Sequence, residues 1–309
     1  MRYSLVVSVV LLSLPELASA QGTGAAPKQL PKLKTLDPKT PDGLRNLFKY
    51  AGEPPRFVAA HRGGPRKGFP ENCVTTFENT LRHTPAMMEI DPRYTKDGSI
   101  VLHHDPTLER TTNGKGRVSD WTLQDLKKLK LKDPEGNLTK YFMPTLDEAL
   151  EWARGRTVLV LDRKGISMAD RVRKVEEHKA EAYAMLMAYT FEDAKTCHRL
   201  NQKIMMEVFI KNRTELEKFE RTGVPWRNVV VFVGHSPPKD PGLCKLIHAK
   251  GALCMAGTSR NLDRQVIEKK VSSISALDKQ YRALMAQGVD LIETDIPVEL
   301  GQLLFGRRD

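Results

Sequence analysis

The chain has 309 residues, 40% of them hydrophobic and 28% charged, with a formal net charge of +11. Such a composition fits an ordinary globular protein with ample core, and past the first twenty residues no segment is apolar enough to span a bilayer. The basic balance favours anionic small molecules or surfaces; no nucleic-acid-binding motif accompanies it, so nucleic acid is not expected as a partner.

In chain order, residues 1–20 read as a secretory leader. A basic Arg2 precedes an apolar run, and Ala18-Ser19-Ala20 closes it as a cleavage pattern, so export with cutting near Ala20 is expected. The run is short for a stable membrane anchor. Residues 21–55, rich in Pro, Lys, Gly and Thr, read as a linker with one short helix near Leu44–Tyr50. The folded domain is expected over residues 56–305.

From there short apolar runs alternate with amphipathic segments. Strands are expected at Phe57–His61, Met87–Asp91, Val158–Asp162, Ala184–Ala188, Ile204–Ile210, Val229–Gly234, Ala252–Ala256 and Val289–Asp295. Helices are expected at Thr75–Arg82, Thr145–Arg154, Met168–His178, Phe191–Leu200, Thr214–Arg221, Gly242–Ala249 and Tyr281–Gln287. Gly223, Gly251 and Gly288 are in place to end three of them. Eight strand–helix repeats predict an α/β TIM (β/α)8 barrel, with a small insertion at about 93–143 between the second and third strands. A doubly wound open sheet is the alternative, weakened by the lack of a Gly-rich nucleotide fingerprint. The four cysteines, at 73, 197, 244 and 254, match no zinc pattern. Disulfides and buried thiols both remain open for them.

Charged residues cluster where barrel strands should end, in "AHRGG", "EID", "LDRK" and "ETDIP". Carboxyl ends of barrel strands carry the active site. Glu89 and Asp91, two apart, share a strand face, and with Asp162 they suit a hard cation such as Ca²⁺ or Mg²⁺. A salt-bridged strand end is the bland alternative. Lys164 is placed to meet an anionic oxygen, or is a plain loop lysine. In "TKDGS", Asp97-Gly98 offers a two-residue turn. That register sets Asp91 opposite His104, and so selects His104 over His103 as the site residue. His61 and His104, beside a cation, Arg62 and Lys164, point to phosphoryl chemistry with a histidine acid–base pair.

Taken in order, "AAHRGG", "FPENCVTTFENTL", "EIDPRYTKDGSIVLHHDPTLERTTNGKGRV", "MPTLDEAL" and "GVDLIETDIP" resemble the glycerophosphodiester phosphodiesterase family over residues 56–298. The resemblance implies a TIM barrel with a small insertion, a divalent metal, usually Ca²⁺ or Mg²⁺, and a small-molecule phosphodiester as substrate. It implies hydrolysis of glycerophosphodiesters to glycerol 3-phosphate and an alcohol, by attack of the glycerol hydroxyl through a cyclic phosphate. Carried over, His61 and His104 become the acid–base pair, Arg62 a phosphate binder, and Glu89 and Asp91 metal ligands. Glu71 and Asn72 are further candidates near His61.

Two positions depart from the family pattern. Its third strand ends E-x-K where this chain has Asp162-Arg163-Lys164, and its seventh carries Trp-Thr where this chain reads "CMAGTSRNLDRQ". Ala256-Gly257 is expected to open the pocket floor, and Arg260 to offer an anionic contact. Hence a competing enzyme reading, a phospholipase D-like or other phosphodiesterase on a different headgroup; a non-catalytic binding protein on the same barrel is a further alternative of another class.

Overall fold

The computed structural model describes residues 31–306. The leader and its cleavage site lie outside the described residues. The strands run β1 Val58–Ala60, β2 Ala86–Ile90, β3 Pro92–Tyr94, β4 Ile100–Leu102, β5 Lys130–Lys132, β6 Leu138–Phe142, β7 Leu159–Leu161, β8 Ala184–Ala188, β9 Met205–Phe209, β10 Val229–Gly234, β11 Cys254–Gly257 and β12 Leu291–Thr294. Eight of them, β1, β2 and β7 to β12, pair in parallel and close, because β1 bonds to β12 as well as to β2. The fold is therefore the expected TIM barrel. Its strands are short apolar runs buried on both faces, as a helix-covered parallel sheet requires.

The helices begin where side-chain caps occur. Thr145 with Glu148 and Thr190 with Asp193 form capping boxes, and Ser167 and Asn212 accept the backbone N–H three residues on. Gly223, Gly251 and Gly288 take positive φ after their helices, as expected. A last helix, Pro297–Phe305, goes beyond the sequence reading; its proline occupies the first turn, where no N–H is needed.

The barrel interior is filled by Phe57, Ala59, Met87, Val160, Met185, Met205, Val230, Met255 and Leu291, among others. Leu44 and Phe48 belong to that same cluster. The described part of the expected linker is thus a packed floor, not a connector. Helix Pro41–Leu47 is pinned by Thr40 at its cap. Lys34 N–H donates to Leu81 O, Leu36 N–H to Arg156 O, and Tyr50 N–H to Gly251 O.

The insertion has its own small core of Val101, Leu108, Val118, Leu126, Leu131 and Met143, joined by Cys73. It carries two antiparallel ribbons, β3–β4 and β5–β6. The first corrects the hairpin register. Pro92 pairs with Leu102, Arg93 with Val101 and Tyr94 with Ile100, one residue off the two-residue turn expected. Thr95 N–H donates to Ser99 O, so the loop holds three residues, Lys96 to Gly98, with Gly98 at φ 77. A three-residue loop ending in a left-handed glycine is the next commonest hairpin solution. Asp91 therefore faces His103, not His104; His103 N–H donates to Asp91 O. Cys244 and Cys254 form a disulfide that ties helix Leu243–His248 to β11, and Cys73 and Cys197 are buried free thiols.

Candidate active site

β1 ends in a tight turn, His61–Gly63, in which Arg62 sits at φ 52. That left-handed conformation is costly for a residue with a side chain. It aims the Arg62 N–H at Glu89 Oε2 (2.8 Å). Gly63 has no alternative here, since a Cβ would overlap the Phe77 ring. Asn72, also left-handed at φ 55, donates its N–H to Arg62 O. Its amide clamps Asp91: Nδ2 donates to Oδ2 at 2.6 Å, and Oδ1 accepts from the Asp91 N–H at 2.9 Å. Asn72 is 2% exposed. It and Glu71, expected beside the phosphate, instead lie behind the cavity as supports.

His104 follows β4, and its position comes from that supporting shell. Arg93 Nη2 holds its carbonyl at 2.6 Å, and its Nδ1–H donates to Asp105 Oδ1 at 2.7 Å. Arg110 donates to both Asp105 oxygens (2.6 and 2.9 Å) and to both Glu71 oxygens (2.8 Å each). Glu71 in turn accepts from Arg62 at 3.2 Å. With Nδ1–H taken by the carboxylate, the bare Nε2 of His104 is left for chemistry. His103 is 3% exposed and bonded to Thr107 O. The register used to select His104 was wrong, and it is the burial of His103 that leaves His104 as the histidine of this pair on the cavity.

His61 makes the matching contact on the opposite chain end: its Nδ1–H donates to Asp295 Oδ1 at 2.6 Å. The two histidines are biased in opposite directions. Burial disfavours the charged form of both. In His61 the Asp295 bond and the Glu293 charge outweigh it and the pKa rises; in His104 burial prevails, aided by Arg62 and Lys164, and it falls.

Between them, ligand oxygens of Glu89, Asp91 and Asp162 lie within 4.8 Å of one another, all buried. Lys164, at φ 29, reaches Asp91 Oδ1 (3.1 Å) and Asp162. Tyr189 donates to Asp162 Oδ1 at 2.6 Å. The Asp91 Oδ1 atom has an ion-pair neighbour but no hydrogen bond of good geometry. Burial first, then the charges of Asp91 and Asp162, push the Glu89 carboxyl well above its ordinary range. Buried carboxylates packed this closely need a proton or a cation, and an all-oxygen donor set fits a hard divalent ion. Behind them Arg171, wholly buried, donates to Leu161 O (3.2 Å) and Met187 O (2.8 Å), near the ends of the strands carrying Asp162 and Tyr189.

These groups open on a cavity of about 1070 Å³, lined by His61, Arg62, Glu89, His104, Asp162 and Lys164 on one side. Arg260, Lys211, Lys239, Arg264 and His235 line the other. Glu207, 1% exposed, reaches the cavity from β9 with neither carboxylate oxygen bonded. Burial, then Glu293 and Asp162, push its pKa well up. The seventh strand does not open the floor as expected. A Cβ on Gly257 would overlap the His235 ring, so the imidazole from the sixth strand's loop fills that space.

Every candidate on the sequence list except Glu71, Asn72 and Asp91 lines the cavity, and those three brace it. Asp105, Arg110, Tyr189, Glu207 and His235 escaped sequence reading, as did the role of Asp295. Asp295 had a signal in the charged strand end "ETDIP", and Asp105 and Arg110 lie in the quoted stretch "HHDPTLERTT"; Tyr189, Glu207 and His235 had none.

Residues 61–295 match the family model described as the glycerophosphoryl diester phosphodiesterase family. A glycerophosphodiester phosphodiesterase of Caldanaerobacter subterraneus is 39% identical over 33% of this chain, a stretch that spans 42% of that relative's length. One from Bacillus altitudinis is 26% identical over 78% of this chain and 94% of its own. Among solved structures, a glycerophosphoryl diester phosphodiesterase from Parabacteroides distasonis superposes with a TM-score of 0.84 at 40% identity, covering 88% of this chain and 94% of that one. An Oleispira antarctica phosphodiesterase, solved with the product sn-glycerol-3-phosphate, shares the fold at 21% identity and a TM-score of 0.60, covering 80% of this chain and 96% of its own.

Proposed function

The chain belongs to the glycerophosphoryl diester phosphodiesterase family, and we propose that it hydrolyses glycerophosphodiesters to glycerol 3-phosphate and an alcohol. The observation that carries this reading is the pair of carboxylate-anchored histidines with opposite protonation bias on one cavity. Groups whose environments drive their pKa values apart take the acid and base roles.

In the first step His104, neutral with Nε2 bare, takes the proton of the glycerol hydroxyl beside the phosphate. That oxygen attacks phosphorus, and His61, protonated, delivers its proton to the departing alcohol. A cyclic phosphate remains. In the second step the roles reverse: neutral His61 deprotonates water, water oxygen attacks phosphorus, and His104 returns its proton to the glycerol oxygen. Both histidines end as they began. Arg62 and Lys164 hold the non-bridging oxygens. Glu89, Asp91 and Asp162 would hold a divalent cation, Ca²⁺ or Mg²⁺, whose charge offsets the negative charge gathering on the phosphate.

Export from the cytoplasm is part of the proposal. The leader pattern of residues 1–20 and the Cys244–Cys254 disulfide both suit an oxidising compartment. The substrate is a small molecule. A non-catalytic barrel would have no need of either the histidine pair or its carboxylate anchors. The test is release of glycerol 3-phosphate from a small panel of glycerophosphodiesters, with and without EDTA. No release from any of them would sink the reading. Activity on lysophospholipids alone would favour the phospholipase D-like alternative.

A further inference from the structure

The changed seventh strand leaves the alcohol end of the substrate unassigned, and the charges around that end are uneven. Arg260, Lys211 and Lys239 line the cavity with no ion pair among the described residues. Arg264, also on the lining, is exposed and meets only Glu268, at 3.4 Å. Among the described residues, the rim carboxylate on this side, Asp240, is taken by Arg213 at 2.5 Å. The deeper acids, Glu207 and Glu293, are buried at 1% and 4% exposure, and burial raises the pKa of both. His235, held down to about 4 by burial, then by Arg260 and His61, is neutral at working pH and adds a hydrogen-bonding ring without charge.

The same side offers a cationic alcohol little open aromatic surface. A quaternary ammonium is recognised on open aromatic faces. Tyr189 and Phe209 stack on each other at 4.7 Å, and the Arg163 guanidinium already sits over the Tyr189 ring at 5.3 Å. The Tyr189 ring is thus covered by a cation of the protein itself, while Phe209 and Phe232, also on the lining, pack against each other, Tyr189 and His235.

We propose that this wall selects a glycerophosphodiester whose alcohol carries its own phosphate. The second phosphate would sit among Arg260, Lys211 and Arg264, while the scissile one sits at Arg62 and Lys164. This rests on the phosphodiesterase reading above and deepens it. Two anionic groups of one substrate would then engage the two sides of the cavity, and an alcohol without charge would engage only one.

The experiment compares kcat/KM for glycerol 3-phosphate release from glycerophosphoinositol 4-phosphate, glycerophosphoinositol and glycerophosphocholine, using the mature protein. The phosphate-bearing substrate is expected to be favoured over plain glycerophosphoinositol by about tenfold at low salt, and by less at high salt. Arg260→Glu should bring that ratio below one, and Lys211→Ala should narrow it. Equal turnover of the two inositol substrates, a preference for glycerophosphocholine, or a ratio unmoved in both variants would overturn the proposal. Failure to release glycerol 3-phosphate from all three substrates would instead strike the phosphodiesterase reading on which it rests.

Discussion

On the side of the cavity built by β1, β2 and β7, the cations are matched. Arg62 meets Glu71, Lys164 meets Asp91, and Arg110 bridges Glu71 and Asp105, all within 3.2 Å. On the side built by β9, β10 and β11, Lys211, Lys239 and Arg260 are unmatched, and Glu207 has no hydrogen bond, among the described residues. The contrast separates two tasks. A matched, buried network fixes side chains in place before substrate arrives, which is what preorganised catalysis requires. An unmatched rim leaves charge to be completed by whatever binds.

If the matched side does the chemistry, the largest effects lie there. His61→Ala and His104→Ala should each lower kcat by about 10²–10⁴-fold, the usual worth of a positioned acid or base. Steady-state rates check this, with circular dichroism confirming the fold. Asn72→Ala comes next. It strips Asp91 of both its amide partners without touching the cavity, and should weaken divalent-ion binding by about 10–100-fold, as loss of a ligand's supporting bond does. Calorimetric titration with Ca²⁺ and with Mg²⁺ measures it directly.

The pH profile sharpens the same comparison. His104 must be neutral, so activity falls as pH drops through its pKa, which lies below the ordinary 6.5. His61 must be protonated, so activity falls as pH rises through its pKa, which lies above 6.5. The kcat/KM profile should be a bell with limbs on either side of 6.5. Asp295→Asn leaves His61 only a neutral amide acceptor and removes the charge that helps raise its pKa, and should move only the alkaline limb, downward. The smallest effect belongs to the unmatched side. Gly257→Ala displaces the His235 ring, and should shift KM between alcohols with little change in kcat.

The eight strands, most helices and the strand-end charges were legible because each is a local pattern of burial period, cap or turn. The partnerships were not. His61 and Asp295 lie 234 residues apart and meet only because β1 and β12 close the barrel. The support of His104 runs from Asp105 through Arg110 to Glu71, 39 residues before Arg110, a partnership no local spacing encodes. The hairpin shows the opposite failure, a local rule applied with the wrong loop length. Two and three residues are both good solutions for a turn containing Asp-Gly, and one residue of slip reverses which histidine faces Asp91. The floor helix was expected near Leu44–Tyr50 and lies at Pro41–Leu47; what the linker-like composition hid was its packing, in which Leu44 and Phe48, four apart, form one apolar stripe against the barrel.

The most direct test of the central claim is glycerol 3-phosphate release from a glycerophosphodiester by the purified protein, measured with added divalent ion and with chelator, for the wild type and for His104→Ala. The account predicts release by the wild type with ion present, and near-loss on chelation or on substitution of His104. Equal release with chelator, or full activity in His104→Ala, would contradict it.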